Sequence, residues 1–201
     1  MNYERLLSYG NVIPLKARID VGKLKAEISS FNFDQYNQNK PSIPRYGLSI
    51  TSLDGEINGV DLDSLYNTDG LDEMSFKTFT DVYYVSEQIR SVVDPFKNYL
   101  GRSHLLKFGK GGFFPPHRDD WGSHEQKSFR IICPIFNCNP PTSYLILDNR
   151  IQYLQEGGVY FMNTNLEHSF ISYGGDALMM ILNVEASEGS YKAIFDNLAS
   201  Y

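Results

Sequence analysis

The stretch Gly111-Gly112-Phe113-Phe114-Pro115-Pro116-His117-Arg118-Asp119 decides how this chain is read, together with the histidine in Asn165-Leu166-Glu167-His168-Ser169. Side chains alternate across a β-strand, so His117 and Asp119 share one face while Arg118 and Asp120 point to the other. Two imidazoles and one carboxylate on one side of a metal make the 2-His-1-carboxylate arrangement, which leaves positions open on a non-haem Fe(II). His117, Asp119 and His168 are therefore the candidate catalytic and metal-ligating residues. Taken alone, a His-x-Asp is a weak signal, because a surface histidine beside an acidic turn gives the same letters. The surrounding sequence changes that reading.

Ser103-His104-Leu105-Leu106-Lys107-Phe108 reads as a strand and Gly109-Lys110-Gly111-Gly112 as a tight reversal; the strand from Phe113 then delivers His117 at its end. A polar loop follows, holding Trp121 and Ser123-His124-Glu125-Gln126. Ser128-Phe129-Arg130-Ile131-Ile132-Cys133-Pro134-Ile135 is apolar and β-branched apart from one arginine, as in a buried strand that aims a charge into a site. Strands at Tyr144-Leu145-Ile146-Leu147 and Arg150-Ile151-Gln152-Tyr153-Leu154 flank Asp148-Asn149, a hairpin signal. Gly157-Gly158 turns the chain into Val159-Tyr160-Phe161-Met162. His168-Ser169-Phe170-Ile171-Ser172, a Tyr173-Gly174-Gly175-Asp176 turn and an apolar run from Ala177 to Val184 complete the set. Short strands joined by such turns predict a mainly β fold, a sandwich or jelly roll with flanking helices.

Over residues 102–185 the sequence resembles the double-stranded β-helix, a cupin-like jelly roll, of the Fe(II)/2-oxoglutarate-dependent oxygenases. It is most similar to their aspartyl/asparaginyl β-hydroxylase and proline hydroxylase branch. The resemblance is carried by the His-x-Asp stretch, by Phe129-Arg130-Ile131-Ile132-Cys133-Pro134-Ile135, and by Glu156-Gly157-Gly158-Val159-Tyr160-Phe161-Met162-Asn163 running into Glu167-His168-Ser169-Phe170. It implies Fe(II) on His117, Asp119 and His168, 2-oxoglutarate chelating that iron, and O2 as the oxidant. The implied enzyme is an oxidoreductase, a dioxygenase acting as a hydroxylase on an amino-acid or peptidyl side chain, proline- or Asp/Asn-like. Two other readings stay open. One is a jelly-roll binding protein that kept the triad but lost the co-substrate; the other is a cupin-type metalloenzyme that does not use 2-oxoglutarate.

One departure from the family pattern stands out. Members usually carry an arginine or lysine about ten residues past the distal histidine, where it pairs with the far carboxylate of 2-oxoglutarate. Here that place is Leu178, between Ala177 and Met179, and no Arg or Lys occurs between Arg150 and Lys192. A buried dianion without a cation is costly, so Arg130 is the expected substitute, with a bidentate fork suited to a carboxylate. Ser169 and Ser172 are candidate hydroxyl donors to the same co-substrate. Replacing Arg130 with alanine is expected to weaken 2-oxoglutarate binding while leaving Fe(II) binding nearly intact. His104 is read either as lining the site or as a satisfied core histidine, and His124 as solvated. Arg45, Arg102 and Arg118 are each candidates for a substrate carboxylate, and the sequence does not rank them.

At 201 residues one domain is expected over 1–201, with helical and strand support in 1–101, the β-core in 102–185 and a tail in 186–201. The 13 Phe and 14 Tyr suit a β-rich fold and a ring-lined site. A net charge of −6 without a Lys/Arg cluster argues against a nucleic-acid surface. No apolar run reaches membrane length and no signal-peptide core is seen, so a cytoplasmic protein without a membrane partner is expected. The expected partner is a small-molecule amino acid or peptide; oligomeric state is not readable. Cys133 and Cys138 read as free thiols, Cys133 as core. Amphipathic patterns predict helices over 21–31 and 86–100, the second broken at Pro95, and a short helix in the tail. A strand is expected over 44–51, and the acidic segment 52–72 is read as a lid or substrate-binding excursion.

Overall fold

Period-two alternation along long apolar strands lets one sheet serve two cores at once, and this chain uses it. A computed structural model describes residues 2–37, 39–57, 71–119 and 127–199. Its strands are β1 (Val12–Arg18), β2 (Asp34–Gln35), β3 (Arg45–Ser49), β4 (Thr51–Ser52), β5 (Thr78–Phe79), β6 (His104–Phe108), β7 (Phe113–His117), β8 (Ser128–Phe136), β9 (Ser143–Leu147), β10 (Arg150–Gln152), β11 (Gly158–Met162), β12 (His168–Ser172) and β13 (Ala177–Glu185). A seven-stranded sheet runs β1-β11-β8-β13-β6-β3-β2 and a four-stranded sheet runs β10-β9-β12-β7, while β4 and β5 pair separately. Every pairing is antiparallel. This is the double-stranded β-helix that the sequence pattern predicts.

Alternation decides what each face of the large sheet carries. On β8, Phe129, Ile131, Cys133 and Ile135 enter one core, and on β13 Leu178, Met180, Leu182 and Val184 join them. The intervening residues Ile132, Met179 and Ile181 turn to a second core between the two sheets, with Leu106, Phe108 and Met162. Arg130 and Asn183 continue these inward rows and lie opposite each other in the β8–β13 register.

The first core is covered by helices α1 (Tyr3–Leu7), α2 (Val21–Glu27), α3 (Asp81–Val85), α4 (Glu87–Val93) and α5 (Glu188–Asp196). Helix α4 starts where the Ser86 side chain accepts the Ile89 N–H at 3.0 Å and buries Ile89, Val92 and Val93. It ends at Val93. Pro95, which has no N–H to donate, falls in the 3-10 turn Asp94–Tyr99 that continues the segment. Helix α2 stops at Glu27, short of the expected residue 31, and the tail helix begins at Glu188. β1, an edge strand of the large sheet, has no counterpart in the sequence reading. At the β9–β10 hairpin Asp148 and Asn149 adopt positive φ angles of 50° and 58°, as a two-residue turn between twisted strands requires.

Cys133 and Cys138 are free and buried, and burial pushes both thiols up, Cys138 to about 12. No helix among the described residues is long and apolar enough to cross a membrane. The centre of the segment expected as a lid, 58–70, and the loop with Trp121 and His124 lie outside the described residues.

Phe129 is fully buried, its ring 5.5 Å from that of Phe161 and stacked at 5.8 Å on Tyr191. Phe129→Ala is expected to cost about 3–5 kcal/mol in urea unfolding. Tyr153→Ala, at a side chain 73% exposed, should stay within about 0.5 kcal/mol of wild type in the same measurement.

Candidate metal centre

Pairing of β12 with β7 sets His168 directly opposite His117, with ring centroids 4.2 Å apart. β7 lies at the edge of its sheet, where Pro115 and Pro116, which have no N–H to donate, are tolerated. Asp119 lies beyond the end of β7. Its backbone N–H donates to the Thr164 carbonyl at 3.0 Å, tying it to the segment that leads into β12. Strand alternation, the reason given for its orientation from sequence, is thus replaced by a pinned turn.

The three side chains converge. Nε2 of His117 and Nε2 of His168 lie 3.7 and 3.9 Å from Oδ1 of Asp119, and one ligating atom from each residue lies within 4.8 Å of the other two. Each imidazole turns its Nδ1 to a main-chain carbonyl two residues earlier, Pro115 at 2.7 Å and Leu166 at 3.0 Å. A nitrogen facing a carbonyl must donate, which leaves the Nε2 lone pair for a metal. Burial lowers the pKa of His168 despite the attraction of Asp119, so its imidazole is held neutral, the form that ligates. For Asp119 burial works the other way, but the guanidinium of Arg130 leads the effects that outweigh it, and the carboxyl is held below the usual range. The donor set suits a divalent metal with open positions.

Arg130 belongs to this centre. Its Nε lies 3.1 Å from Oδ2 of Asp119 and its Nη2 2.6 Å from Oε2 of Glu73, while Nη1 donates to Oδ1 of Asn183. Glu73 also accepts from Nδ2 of Asn183 at 2.8 Å and lies 3.9 Å from Arg102. The guanidinium assigned to the co-substrate from sequence is therefore engaged with Asp119, one of the three candidate ligands. This couples two effects that the sequence reading kept apart: removing Arg130 must disturb the metal site too.

The triad opens onto a cavity of about 350 Å³ between the sheets, with Leu106, Phe108, Ile132, Leu145 and Met179 on its walls. Arg130 and Ser169 line it; Ser172 is not among the lining residues, and its hydroxyl accepts the Gly175 N–H at 3.2 Å. Leu178, the place of the missing cation, faces the helix-covered core, and its neighbours Met179 and Ile181 form an apolar stretch of cavity wall. His104 lines the cavity. Arg45 and Arg102 do so as well, at 6% and 3% exposure, while Arg118 is exposed outside it. Tyr36, Glu73 and Asn183 complete the polar lining and its support. Tyr36 and Glu73 sit in no periodic or motif context that sequence alone could flag, whereas Asn183 interrupts the apolar run of β13 as Arg130 interrupts that of β8.

No family model and no curated protein matches the chain. Among solved structures, a 2OG-Fe(II) oxygenase family oxidoreductase from Burkholderia pseudomallei superposes with a TM-score of 0.55 at 11% identity, over 93% of this chain and 91% of that one. An RmlC-like cupin from Shewanella frigidimarina matches at 14% identity and TM-score 0.32, over 48% of this chain and 74% of that one. An oxalate decarboxylase-like protein from Thermotoga maritima matches at 13% identity and TM-score 0.35, over 46% and 73%. Structural neighbours thus include both an oxygenase-family protein and cupins, and the first of these likenesses supports the double-stranded β-helix fold.

His168→Ala is expected to abolish or strongly weaken Mn(II) binding in calorimetric titration. Glu73→Ala, which leaves the three ligands in place but frees Arg130, should weaken it by about 10- to 100-fold. Wild-type affinity in the first variant would remove the metal assignment.

Proposed function

We propose that this protein is a non-haem Fe(II)/2-oxoglutarate-dependent oxygenase that hydroxylates an amino-acid or peptidyl side chain. The observation that carries the reading is the convergence of His117, Asp119 and His168 on one point at the wall of a cavity, with both Nδ1 atoms satisfied by main-chain carbonyls. Iron bound there, with a 2-oxo acid and dioxygen, supplies the oxidation that turns a C–H bond into C–OH. The chain's own part is positional. Arg130 keeps Asp119 ionised and fixes its second oxygen, so that Oδ1 is the one directed at the two imidazoles. Apolar wall residues beside the centre lower the local dielectric, which strengthens the charge interactions next to them. Arg130 and Ser169 line the cavity in which the co-substrate would lie, and a proline- or Asp/Asn-like substrate is the expectation drawn from the sequence resemblance.

A second reading, a cupin-type metalloenzyme that does not use 2-oxoglutarate, is favoured by one observation. Arg130 is taken up by Asp119 and Glu73, and the wall beside Leu178 is apolar. The two readings differ in what is consumed. With Fe(II), 2-oxoglutarate and air, screening amino acids and short peptides should reveal succinate release matched by a product one oxygen heavier. Arg130→Ala should lose affinity for both Mn(II) and 2-oxoglutarate. Intact metal binding with no 2-oxoglutarate binding by the wild type would replace the oxygenase reading with the cupin one.

A further inference from the structure

Away from the metal, the cavity ends in a group of buried polar side chains drawn from the N-terminal half and the start of β6. Arg45, on β3, stacks its guanidinium 3.8 Å from the centroid of Phe114 and 4.6 Å from that of Tyr36. Arg102, just before β6, lies 4.9 Å from the same Tyr36 ring and donates from Nη1 to the Tyr36 hydroxyl at 2.8 Å. Two guanidinium groups are thus held by one tyrosine ring, both almost fully buried. Planar stacking of this kind fixes each guanidinium in one orientation; Arg45 also donates from Nη1 to the Phe113 carbonyl at 3.0 Å, and Arg102 lies 3.9 Å from Glu73.

Two further polar groups lie beside them. The Tyr36 hydroxyl already accepts from Arg102, so its own proton is left to donate, and no acceptor for it occurs among the described residues. His104 is 5% exposed, lines the cavity with its ring 5.7 Å from Tyr36, and its Nδ1 meets no hydrogen-bond partner. Burial, together with Arg102, Arg130 and Arg45, holds this imidazole neutral. Buried polar groups normally find partners, and an unmade hydrogen bond costs about 1–3 kcal/mol. A tyrosine O–H and a histidine nitrogen left over between two arginines, in a cavity, describe an acceptor that is supplied from outside the chain.

We propose that Tyr36, His104, Arg45 and Arg102 form a carboxylate-binding subsite that holds a small organic acid whose other end reaches the metal centre. The inference rests on the oxygenase reading for the identity of that acid. The carboxylate belongs either to the far end of the 2-oxo acid or to the amino-acid substrate. In both cases the subsite replaces the cation absent beside Leu178, and it favours a free acid over an uncharged amide.

Calorimetry with Mn(II) in the site distinguishes the sources. If the 2-oxo acid is held there, wild type should bind 2-oxoglutarate about thirty-fold or more tightly than 2-oxobutyrate, which lacks the second carboxylate. Arg102→Gln should erase that preference, and Tyr36→Phe, which keeps the ring, should reduce it by about ten-fold. If the substrate is held there, the two oxo acids bind alike. The preference for L-proline over L-prolinamide, measured with 2-oxoglutarate saturating, is then what the two variants lose. Mn(II) affinity should stay within about two-fold of wild type in Tyr36→Phe. Succinate bound by wild type and released by both variants, in a protein that holds no Mn(II), would keep the subsite and end the oxygenase reading. The subsite is overturned if wild type separates neither ligand pair, or if the separation survives in both variants.

Discussion

The candidate metal centre depends on one nearly buried guanidinium set between two carboxylates. Asp119 and Arg130 are each costly to bury alone, several kcal/mol per ion, and each is tolerable because the other lies 3.1 Å away. Glu73 completes the arrangement by holding the opposite edge of Arg130, and Asn183, across the β8–β13 register, bonds to both. Glu73 reaches this place only because the chain passes very close by. Its carbonyl accepts the Arg102 N–H at 2.7 Å, and a Cβ on Gly101 would lie 2.6 Å from that carbonyl, so a residue without a side chain is needed there. A glycine thus sets the 3-10 turn Glu73–Ser75 beside the sheet, and the turn in turn fixes the arginine that keeps Asp119 ionised.

How much of this the sequence disclosed follows from the range of the interactions involved. The triad was readable because His117 and Asp119 are near neighbours and His168 lies in a second recognisable strand. The direction of Arg130 was readable because it interrupts an apolar, alternating strand. Strand alternation cannot account for the side on which Asp119 lies, since the strand ends at His117 and the Thr164 carbonyl does the aiming. Arg45, Arg102 and Arg118 look alike in sequence. Only strand order separates them: β3 beside β6 turns two of them inward, and the third follows β7 into solvent. Glu73 and Tyr36 left no signal, because each meets the site through contacts with residues far away in the chain.

The alternation of the large sheet explains why charge and metal can coexist with a stable interior. Apolar side chains at odd-numbered positions of β8, and at even-numbered ones of β13, pack under the helices, where nothing polar is required of them. The opposite rows face the smaller sheet and are free to carry arginine, asparagine and histidine. A substitution on one row is therefore felt as packing and on the other as chemistry, although the two residues are neighbours in sequence.

The same layout bears on where an acid can lie. Leu178 sits on β13, in the middle of the large sheet, whereas Arg45 sits on β3, two strands nearer the edge. At the usual spacing between strands that is a displacement of roughly 10 Å. A carboxylate held by Arg45 and its neighbours is met from the edge of the sheet, by residues of the N-terminal half, with Met179 and Ile181 beside it as an apolar wall. On the proposed reading, the end of β7 and β12 would hold the metal, and Arg45 and Arg102 would supply the charge for an acid, so that N-terminal strand β3 would be part of the site rather than a brace for it.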